Sequence, residues 1–389
     1  MLNTLDALIK QGINVVLVTA FPHYPKGVIP KEYRHKIISI EKWRTIKVIR
    51  VPVIPLPHRT SIERFLNYIS FSCFALLTIP FLGPIDITWA FSQKLFSFIP
   101  GFAQKIVKKS FLVIDMADIW PEALVNTGNI RSNGFLFKII SCVMRIIYSL
   151  SDRVITLNEA MKKLIVDSTN VSPSKISIMT NIVDVKLFRP IDIPRKKEFR
   201  DKFIIMYSGN FGPNYDFQTL LKAALELKSK AIDVLFIIRG YGEMEAFISR
   251  FIKEEGLMNV LLDNQLLERD DLILYLNKAD TFVLPMKKCP YPDASFSIKL
   301  LDYLSCGKPI ICCAEGYLSK FVSEHRAGIS IEPGDHEALS KVVLNLKQDQ
   351  KTRNEISRNA RRLAEDNFSY KTLENEIVQL VVPRVNSDA

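Results

Sequence analysis

The stretch Asp280–Pro309, DTFVLPMKKCPYPDASFSIKLLDYLSCGKP, carries the pattern that decides the fold. Its first apolar run, TFVLP, predicts a buried strand, and KLLDYLS predicts a helix after an intervening polar loop. Gly307 and Pro309 end that helix, and another apolar run follows them. This order is typical of a parallel sheet, in which ligands bind beyond the carboxyl ends of the strands.

The start of the predicted helix has the chemistry of an anion site. The backbone N–H groups of Ser297, Ile298 and Leu300 are expected to face a ligand, because the first turn of a helix leaves them unpaired and its dipole favours negative charge. Lys299 adds a full positive charge. We therefore expect a diphosphate to bind here. Asp302 either accepts hydrogen bonds from ribose hydroxyls or only complements the helix dipole, and its spacing leaves both interpretations open.

Short apolar runs alternate with helical patterns along the chain of 389 residues, which predicts βαβ units and parallel sheets. The predicted strands of the first half are 14–19, 45–51, 85–89, 111–115, 153–157 and 176–179, and those of the second half are 203–208, 234–239, 260–262, 281–284, 309–313 and 329–331. Phe188–Lys197 separates the two series with two prolines and a charged run, which is the composition of a linker. The sequence predicts two Rossmann-like α/β domains, 1–188 and 198–368, and a helical tail over 369–389.

The net charge of +11 belongs almost entirely to the first half of the chain. Residues 1–185 hold 22 basic and 12 acidic side chains, against 30 and 29 in the remainder. The apolar stretches 65–82 and 135–150 lie among these basic residues, which favours an anionic membrane surface over nucleic acid as the partner. Each stretch predicts either a helix in the membrane interface or a buried core helix, and their polar and charged residues argue against a membrane span.

The cysteine and histidine pattern indicates neither a metal site nor a disulfide framework. The six cysteines form no C-x-x-C pair and share no ligand spacing with the five histidines, and the sequence contains no D-x-D triplet. The first 11 residues include Asp6 and lack the basic start of a secretory signal. We therefore expect a cytoplasmic protein with reduced cysteines and no metal cofactor.

Six ordered segments resemble the GT4 family of retaining glycosyltransferases, and within it the subgroup of bacterial surface-polysaccharide biosynthesis. They are SDRVITLNEAMKKLI (151–165), TNIVDVKLFRP (180–190), YSGNFGPNYDFQTLLKAA (207–224), IIRGYGEMEAF (237–247), SFSIKLLDYLSCGKPII (295–311) and AGISIEPGDHEAL (327–339). The resemblance covers nearly all of the chain. It implies the GT-B fold, in which two Rossmann-like, doubly wound parallel-sheet domains face each other across a cleft.

The same resemblance implies an activity and its partners. The donor would be a nucleotide sugar, specifically a UDP-sugar, and the acceptor a polyprenyl-diphosphate-linked saccharide, with retention at the anomeric carbon and no metal. The product would belong to O-antigen, capsule or exopolysaccharide. The enzyme would be cytoplasmic and peripherally associated with the inner face of the cell membrane.

The resemblance also implies roles for individual residues of the second domain. Gly209 and Asn210 lie in the donor loop SGNFG, and Gly240 and Gly242 lie in the nucleotide loop RGYGE. Asp302 matches the second acid of the family's paired-glutamate motif, which holds the ribose of the nucleotide.

This chain departs from the family pattern at three positions. Ala294 stands in place of the first acid of the pair. This replacement suits a deoxy or N-acetylated donor sugar. Alternatively, the neighbouring Asp293 substitutes for the missing acid. Asn210 and Tyr215 stand where many members carry an Arg and a Lys that clamp the diphosphate. Lys299 is then expected to carry the phosphate charge as a catalytic residue, together with the adjacent helix start.

In the first domain, DMADIWPE (115–122) resembles an Asp-x-x-Asp-Leu-Trp-Pro element of the subgroup. This implies a catalytic role for Asp118, at the acceptor hydroxyl or at the C6 region of the donor. The alternative is that Asp118 only caps the following helix.

The start of the sequence differs from the family. Members begin with a strand and a Gly-rich loop, whereas this sequence opens on a helical pattern that Gly12 closes. We expect the first strand of domain 1–188 to be missing from this sequence.

Two other functions stay open at the level of sequence. A nucleotide-sugar 2-epimerase has the same two-domain fold, but it needs carboxylates and histidines for proton abstraction, and the second domain shows no such cluster. A non-catalytic binding protein would also fit the departures at Ala294, Asn210 and Tyr215. Hydrolysis of nucleotide sugars with and without a lipid acceptor separates the three.

Overall fold

The computed structural model describes residues 2–23, 27–57, 61–91, 95–194, 199 and 201–385. The chain forms two compact units. The first unit comprises Met1–Pro121, Asn133–Thr180 and Leu373–Ala389, and the second comprises Glu122–Ser132 and Asn181–Thr372. Both units combine parallel strands with helices, so the predicted α/β class is confirmed.

The first unit alternates strands with helices, and its predicted strands begin and end within two residues of the predicted bounds. The strands are β1 (Val16–Ala20), β2 (Ser39–Trp43), β3 (Ile46–Val51), β4 (Ile87–Phe91), β5 (Phe111–Asp115), β6 (Arg153–Thr156) and β7 (Ile176–Ile178). The helices of this half of the chain are α1 (Leu2–Lys10), α2 (Ser61–Leu76), α3 (Phe98–Lys108), α4 (Glu122–Asn126), α5 (Phe135–Leu150) and α6 (Glu159–Thr169), of which α4 belongs to the second unit.

Among the described residues, the strands of the first unit form two sheets, where the sequence predicted one parallel sheet. β4, β5, β6 and β7 pair in parallel in that order, whereas β1 pairs in parallel with β3 and β3 pairs antiparallel with β2. The β2–β3 hairpin turns at Arg44, whose φ of 55° is left-handed. Sequence reasoning missed β2 because SIEKW has too few apolar residues to be told from a polar loop.

The second unit contains six strands of one parallel sheet. They are β8 (Phe203–Ser208), β9 (Val234–Arg239), β10 (Val260–Asp263), β11 (Thr281–Pro285), β12 (Ile310–Cys313) and β13 (Gly328–Ile331). The helices are α7 (Phe217–Ser229), α8 (Glu245–Glu254), α9 (Arg269–Leu276), α10 (Lys299–Ser305), α11 (Gly316–Glu324), α12 (His336–Gln348), α13 (Gln350–Asn367) and α14 (Tyr370–Val385), which enters the first unit at Leu373.

The strand order of this sheet is β10-β9-β8-β11-β12-β13, with every pair parallel. The chain builds outward from β8 on one side and from β11 on the other. The direction of winding therefore reverses between β8 and β11, which is where open α/β sheets bind ligands. The predicted doubly wound sheet is confirmed for this unit.

Central strand β8 shows how the sheet is buried on both faces. Ile204 and Met206 join one apolar cluster, whereas Phe203, Ile205 and Tyr207 join the cluster on the opposite face. All five side chains are buried. A continuous apolar run such as FIIMYS is typical of a parallel strand that helices cover on both sides.

The unit boundaries differ from those predicted at 1–188 and 198–368. The chain joins the second unit already at Asn181, because the Arg361 guanidinium donates to the carbonyl oxygens of Val185 and Phe188, both at 2.8 Å. Residues 122–132 also belong to the second unit. These contacts join segments far apart in sequence, which the local pattern does not show.

The predicted tail over 369–389 is helical over its described part, as α14. From Leu373 onward it belongs to the first unit. There the Lys10 ammonium of α1 donates to the Glu374 carboxylate at 2.9 Å.

Candidate functional site

Two loops meet at the switch point of the six-stranded sheet. The loop after β8 runs from Gly209 to Asp216, and the loop after β11 runs from Met286 to Ile298. The Asp216 N–H donates to the Pro285 carbonyl at 2.8 Å, and the Lys287 N–H donates to the Asn214 carbonyl at 2.8 Å. These backbone hydrogen bonds hold the two loops side by side at the carboxyl edge of the sheet.

Glycines allow the loops after β8 and β9 to approach closely. Gly209 and Gly240 have φ of +149° and +139°, in the region that favours glycine. A Cβ on Gly240 would lie 1.8 Å from the Gly209 carbonyl oxygen, and a Cβ on Gly209 would lie 1.8 Å from Cε of Lys299. Only glycine fits at both positions, so the structure brings the predicted Gly209, Gly240 and Lys299 into direct contact.

Asn210 and Gly242 lie beside this contact. Asn210 is exposed, its carbonyl oxygen accepts from the Tyr207 hydroxyl at 2.5 Å, and its side-chain oxygen would be 2.5 Å from a Cβ on Gly242. The two predicted loop residues are therefore neighbours. The side chain of Asn210 is open to a ligand on its exposed side.

The Lys299 side chain has a well-defined environment. Its ammonium donates to the Tyr215 hydroxyl at 2.7 Å and lies 4.3 Å from the centre of that ring and 5.7 Å from the ring of Tyr207. Cation–π attraction and the hydrogen bond both favour this position. Lys299, Tyr215 and Gly209, here called the Lys299 cluster, place one cation at the switch point.

Sequence reasoning named Tyr215 only as the replacement of a family lysine and gave it no role. Its hydroxyl contacts a residue 84 positions away in the chain. The available signal was the aromatic residue itself, at the position where the family carries a cation. The tyrosine supplies no charge of its own but orients the charge of Lys299.

Tyr215→Phe is expected to lower kcat of the reaction proposed below by about fivefold to tenfold, because the ammonium loses its hydrogen-bond acceptor but keeps both rings. Steady-state UDP release measures kcat, and KM for the donor should change by less. In a Lys299→Ala background the same substitution should have no further effect, because Tyr215 acts through Lys299. Tyr33→Phe is the control, since this partly buried tyrosine lies in the first unit and outside the cluster. Additive losses in the double variant would contradict the prediction.

The start of α10 differs in one respect from the predicted anion cradle. The N–H of Leu300 donates to the Ser297 carbonyl at 3.1 Å, and the Leu300 side chain is fully buried in the core. Leu300 therefore offers no free donor. Within the described chain, the N–H groups of Ser297, Ile298 and Lys299 have no protein acceptor, so the cradle consists of these three.

Ser297 gives independent support for a ligand at this point. Its side chain is buried, and Oγ has no hydrogen-bond partner among the described residues. A buried polar atom without a partner costs about 1 to 3 kcal/mol, so such atoms usually face a ligand or an ordered water. Ile298, by contrast, exposes its side chain, so it contributes its backbone alone.

Asp302 lies on α10, one turn beyond the cradle. Burial raises the pKa of its carboxyl to about 6, although the positive charges of Arg269 and Lys299 oppose that shift. Burial and these two charges act on the carboxyl, and no hydrogen bond from the described residues does. A partly buried carboxylate with unused acceptors is suited to hydroxyl groups of a ligand.

The structure also shows the surroundings of Ala294, the position of the missing family acid. Ala294 is fully buried. The neighbouring Asp293 carboxylate accepts from the Tyr317 N–H at 2.6 Å, at the start of α11. One oxygen of Asp293 therefore holds the α11 backbone, and its role as a substitute for the missing acid stays a prediction.

A cavity of about 30 Å³ lies beside the Lys299 cluster and is here called the Asn214 cavity. It is lined by Asn126, Asn214, Met286, Lys287, Cys289, Pro292, Ser295, Ala314, Glu315 and Leu318. The side-chain oxygen of Asn214 is buried and has no partner among the described residues. Sequence reasoning missed this cavity, because its walls come from four separate segments.

One wall of the Asn214 cavity comes from residues 122–132. The Asn126 side chain pairs with the backbone of Tyr291, donating to its carbonyl at 2.6 Å and accepting from its N–H at 3.1 Å. The hydroxyls of Ser132 and Tyr291 are 2.9 Å apart. These bonds hold the segment against the loop after β11.

Asp118 follows β5 in the first unit. It is partly buried, and burial raises the pKa of its carboxyl to about 6. Among the described residues, no hydrogen bond from its side chain caps α4, which begins at Glu122. Asp115, at the end of β5, likewise has its pKa raised to about 6 by burial, and it accepts from the Trp89 indole at 3.2 Å. The role of Asp118 at the acceptor stays a prediction.

The described residues contain no group of three or more metal-binding side chains. All six cysteines are free thiols, and Cys306, Cys312 and Cys313 are buried. Burial raises the pKa of Cys306 and Cys312 to about 12, so these thiols are neutral core residues.

A family model identifies the second unit. Residues 188–363 match the model described as glycosyl transferases group 1, and this range contains the Lys299 cluster, the cradle and Asp302. These residues are a glycosyl transferases group 1 domain. The resemblance of residues 188–363 to a glycosyltransferase family is thereby confirmed, and this range contains the switch point of the sheet.

Curated relatives and solved structures agree with the group 1 domain. The chain is 26% identical over 226 residues to D-inositol 3-phosphate glycosyltransferase of Paenarthrobacter aurescens, covering 54% of each. It is 28% identical over 153 residues to O-antigen chain mannosyltransferase C of Escherichia coli, covering 39% of this chain and 40% of that one. The chain thus aligns with about half of these relatives or less.

The solved structure of HepE from Anabaena in complex with UDP is similar over 95% of this chain and 99% of that one. Its TM-score is 0.65 and its sequence identity is 15%. At this identity the likeness shows the fold, and it confirms the GT-B class that the sequence predicted.

Proposed function

We propose that this chain is a retaining glycosyltransferase that transfers a sugar from a UDP-sugar to a polyprenyl-diphosphate-linked saccharide in bacterial surface-polysaccharide biosynthesis. The observation that carries the proposal is the Lys299 cluster beside the unpaired Ser297 Oγ, at the switch point of a group 1 domain. UDP is the nucleotide of the HepE complex, and the Escherichia coli relative is named for the O-antigen chain. These two names support the donor and the pathway class.

In this proposal the donor diphosphate lies against Lys299 and the free N–H groups of Ser297 and Ile298. Asp302 accepts hydrogen bonds from the ribose hydroxyls. The acceptor hydroxyl attacks the anomeric carbon on the face that the phosphate leaves. The bond from that carbon to the phosphate oxygen breaks, the bond to the acceptor oxygen forms, and the acceptor proton moves to the departing phosphate.

Negative charge builds on the leaving phosphate during this step. Preorganised donors at such a position stabilise the transition state more than the ground state. Lys299 and the N–H groups of the cradle are such donors, because the protein already holds them in place. We propose that they supply this charge without a divalent metal.

The proposed membrane partner of the first unit is supported by the outer face of α5. Phe135 is 79% exposed at its first turn. The other exposed large apolar residues of this helix are Leu136, Ile139, Val143, Ile146 and Leu150. Lys138 and Arg145 are exposed between them, and α5 contains no acid. An apolar face with basic residues and no acids is suited to the headgroup region of an anionic bilayer.

Helix α2 also exposes apolar residues. Its polar residues face inward, where the Asn67 side chain donates to the Ile54 carbonyl at 2.8 Å and the Ser70 hydroxyl accepts from the Ile54 N–H at 3.0 Å. Ile62 and Phe65 are exposed. Among the described residues, Ile62–Phe81 is the stretch long and apolar enough to cross a membrane, by length and composition alone. Because its polar face is bonded to the unit, we propose that it lies in the interface.

The double variant Lys138→Glu and Arg145→Glu is expected to weaken binding to vesicles that contain phosphatidylglycerol by about tenfold or more, since each basic residue near the surface contributes about 1 kcal/mol. Binding of the unchanged protein should also fall as salt rises. Vesicle sedimentation measures both effects.

The matched control for this variant is Lys351→Glu with Arg358→Glu. These residues are exposed on α13 with the same seven-residue spacing, but they lie in the second unit. The control should bind as the unchanged protein does. Equal losses in both variants, or salt-independent binding to neutral vesicles, would contradict the role of α5.

The proposed function is tested by incubating the protein with a panel of UDP-sugars and a chelator, with and without a polyprenyl-diphosphate saccharide. UDP release that depends on the acceptor, with a retained anomeric configuration in the product, supports the proposal. Interconversion of the free nucleotide sugars at C2 would instead indicate the 2-epimerase. UDP binding with neither reaction would indicate a binding protein.

A further inference from the structure

We propose that the Asn214 cavity binds an acetamido substituent of the donor sugar, which makes the donor a UDP-N-acetylhexosamine. This inference rests on the proposed function and names the class of its donor. The cavity holds about 30 Å³, which is more than one water needs. A substituent projecting from a ring fits such a space.

Two residues that line the cavity are close in the chain to the Lys299 cluster and to the cradle. Asn214 immediately precedes Tyr215, whose hydroxyl contacts the Lys299 ammonium at 2.7 Å. Ser295, which lines the cavity, lies two residues before Ser297 of the cradle. The anomeric carbon is bonded to the phosphate that Lys299 faces, so the sugar's other substituents reach the adjacent space.

The chemistry of the walls distinguishes an acetamido group from a hydroxyl. The buried Asn214 amide oxygen lacks a partner among the described residues, and an amide N–H would satisfy it. Met286, Ala314 and Leu318 also line the cavity and offer apolar contacts for a methyl group. Only a substituent with both an amide and a methyl group makes both kinds of contact.

The neighbouring position offers a sugar hydroxyl few polar groups. Ala294 has no polar side chain and is fully buried. The Asp293 carboxylate accepts from the Tyr317 N–H at 2.6 Å and lies against Gly316. We therefore expect the Asn214 cavity to recognise the donor sugar.

The test compares matched donors in one protein by calorimetry: UDP-N-acetylglucosamine against UDP-glucose, and UDP-N-acetylgalactosamine against UDP-galactose. We expect the acetamido member of at least one pair to bind about tenfold tighter. Asn214→Ala should reduce that ratio to within about twofold, while the affinity for UDP alone stays unchanged. Asn354→Ala, an exposed asparagine of α13, is the control and should keep the full ratio.

A second variant tests the same inference in case Asn214→Ala misfolds. Ala314→Val adds a larger apolar side chain to the cavity wall and should weaken only the acetamido donors. Because each ratio compares two ligands in the same preparation, partial unfolding lowers both affinities and leaves the ratio unchanged. Equal affinities within both pairs, with UDP still bound, would overturn this inference but not the proposed function. Absence of UDP binding would overturn the proposed function itself.

Discussion

Lys299→Ala is expected to lower the rate of UDP release by about a hundredfold or more, because a single donor to a developing oxyanion typically contributes a factor of that size. Lys299 is the cation that the structure holds at the switch point, through the Tyr215 hydroxyl and the backbone of Gly209. Its loss leaves the leaving phosphate with N–H donors alone. The measurement is kcat from steady-state UDP release with saturating donor.

Two further variants separate lost charge from lost packing in this experiment. Lys299→Met keeps most of the side-chain length against Gly209 but removes the ammonium, so it should lose activity as alanine does. Lys320→Ala removes an exposed lysine of α11 and should behave as the unchanged protein. A Lys299→Ala protein with normal turnover and an unchanged melting temperature would remove Lys299 from the mechanism.

Asp302→Ala is expected to weaken UDP binding by about tenfold, because hydrogen bonds to a charged group contribute about 1.5 to 3 kcal/mol. The same carboxylate should make binding pH-dependent. Its pKa is raised to about 6 by burial, so it is ionised and accepting above that pH and protonated below it. UDP affinity should therefore fall as the pH drops through 6.

The pH dependence gives the sharper readout for Asp302. Asp302→Asn cannot ionise, so its UDP affinity should fall less than that of the unchanged protein and follow only the titration of the UDP phosphate, whose second pKa is also about 6. Asp270→Ala, an exposed acid in the first turn of α9, is the control and should keep both the affinity and the pH profile. Calorimetry between pH 5 and 8 measures the UDP affinity of each variant. Equal UDP affinity in Asp302→Ala and the unchanged protein would show that Asp302 has only a structural role.

Sequence alone determined the class of the fold and predicted where the candidate site lies within the second unit. The runs FIIMYS, VLFIIR and TFVLP are continuous apolar segments, and such runs are strands of a parallel sheet because helices cover both faces. Gly209, Gly240 and Lys299 were named from the chain, and the structure brings them into contact. Local periodicity is sufficient to predict these positions, because the strand, the loop and the start of the helix follow one another along the sequence.

Tertiary structure alone decided which side chains meet. The contact between Lys299 and Tyr215 joins residues 84 positions apart, and the bond between Asn126 and Tyr291 joins residues 165 positions apart. The free N–H groups of the cradle depend on the geometry of the turn before α10. The hydrogen bond of Asp293 depends on the position of α11. The physical reason is that such contacts follow from strand order and crossing loops, whereas sequence periodicity reports only which face of a single element is buried.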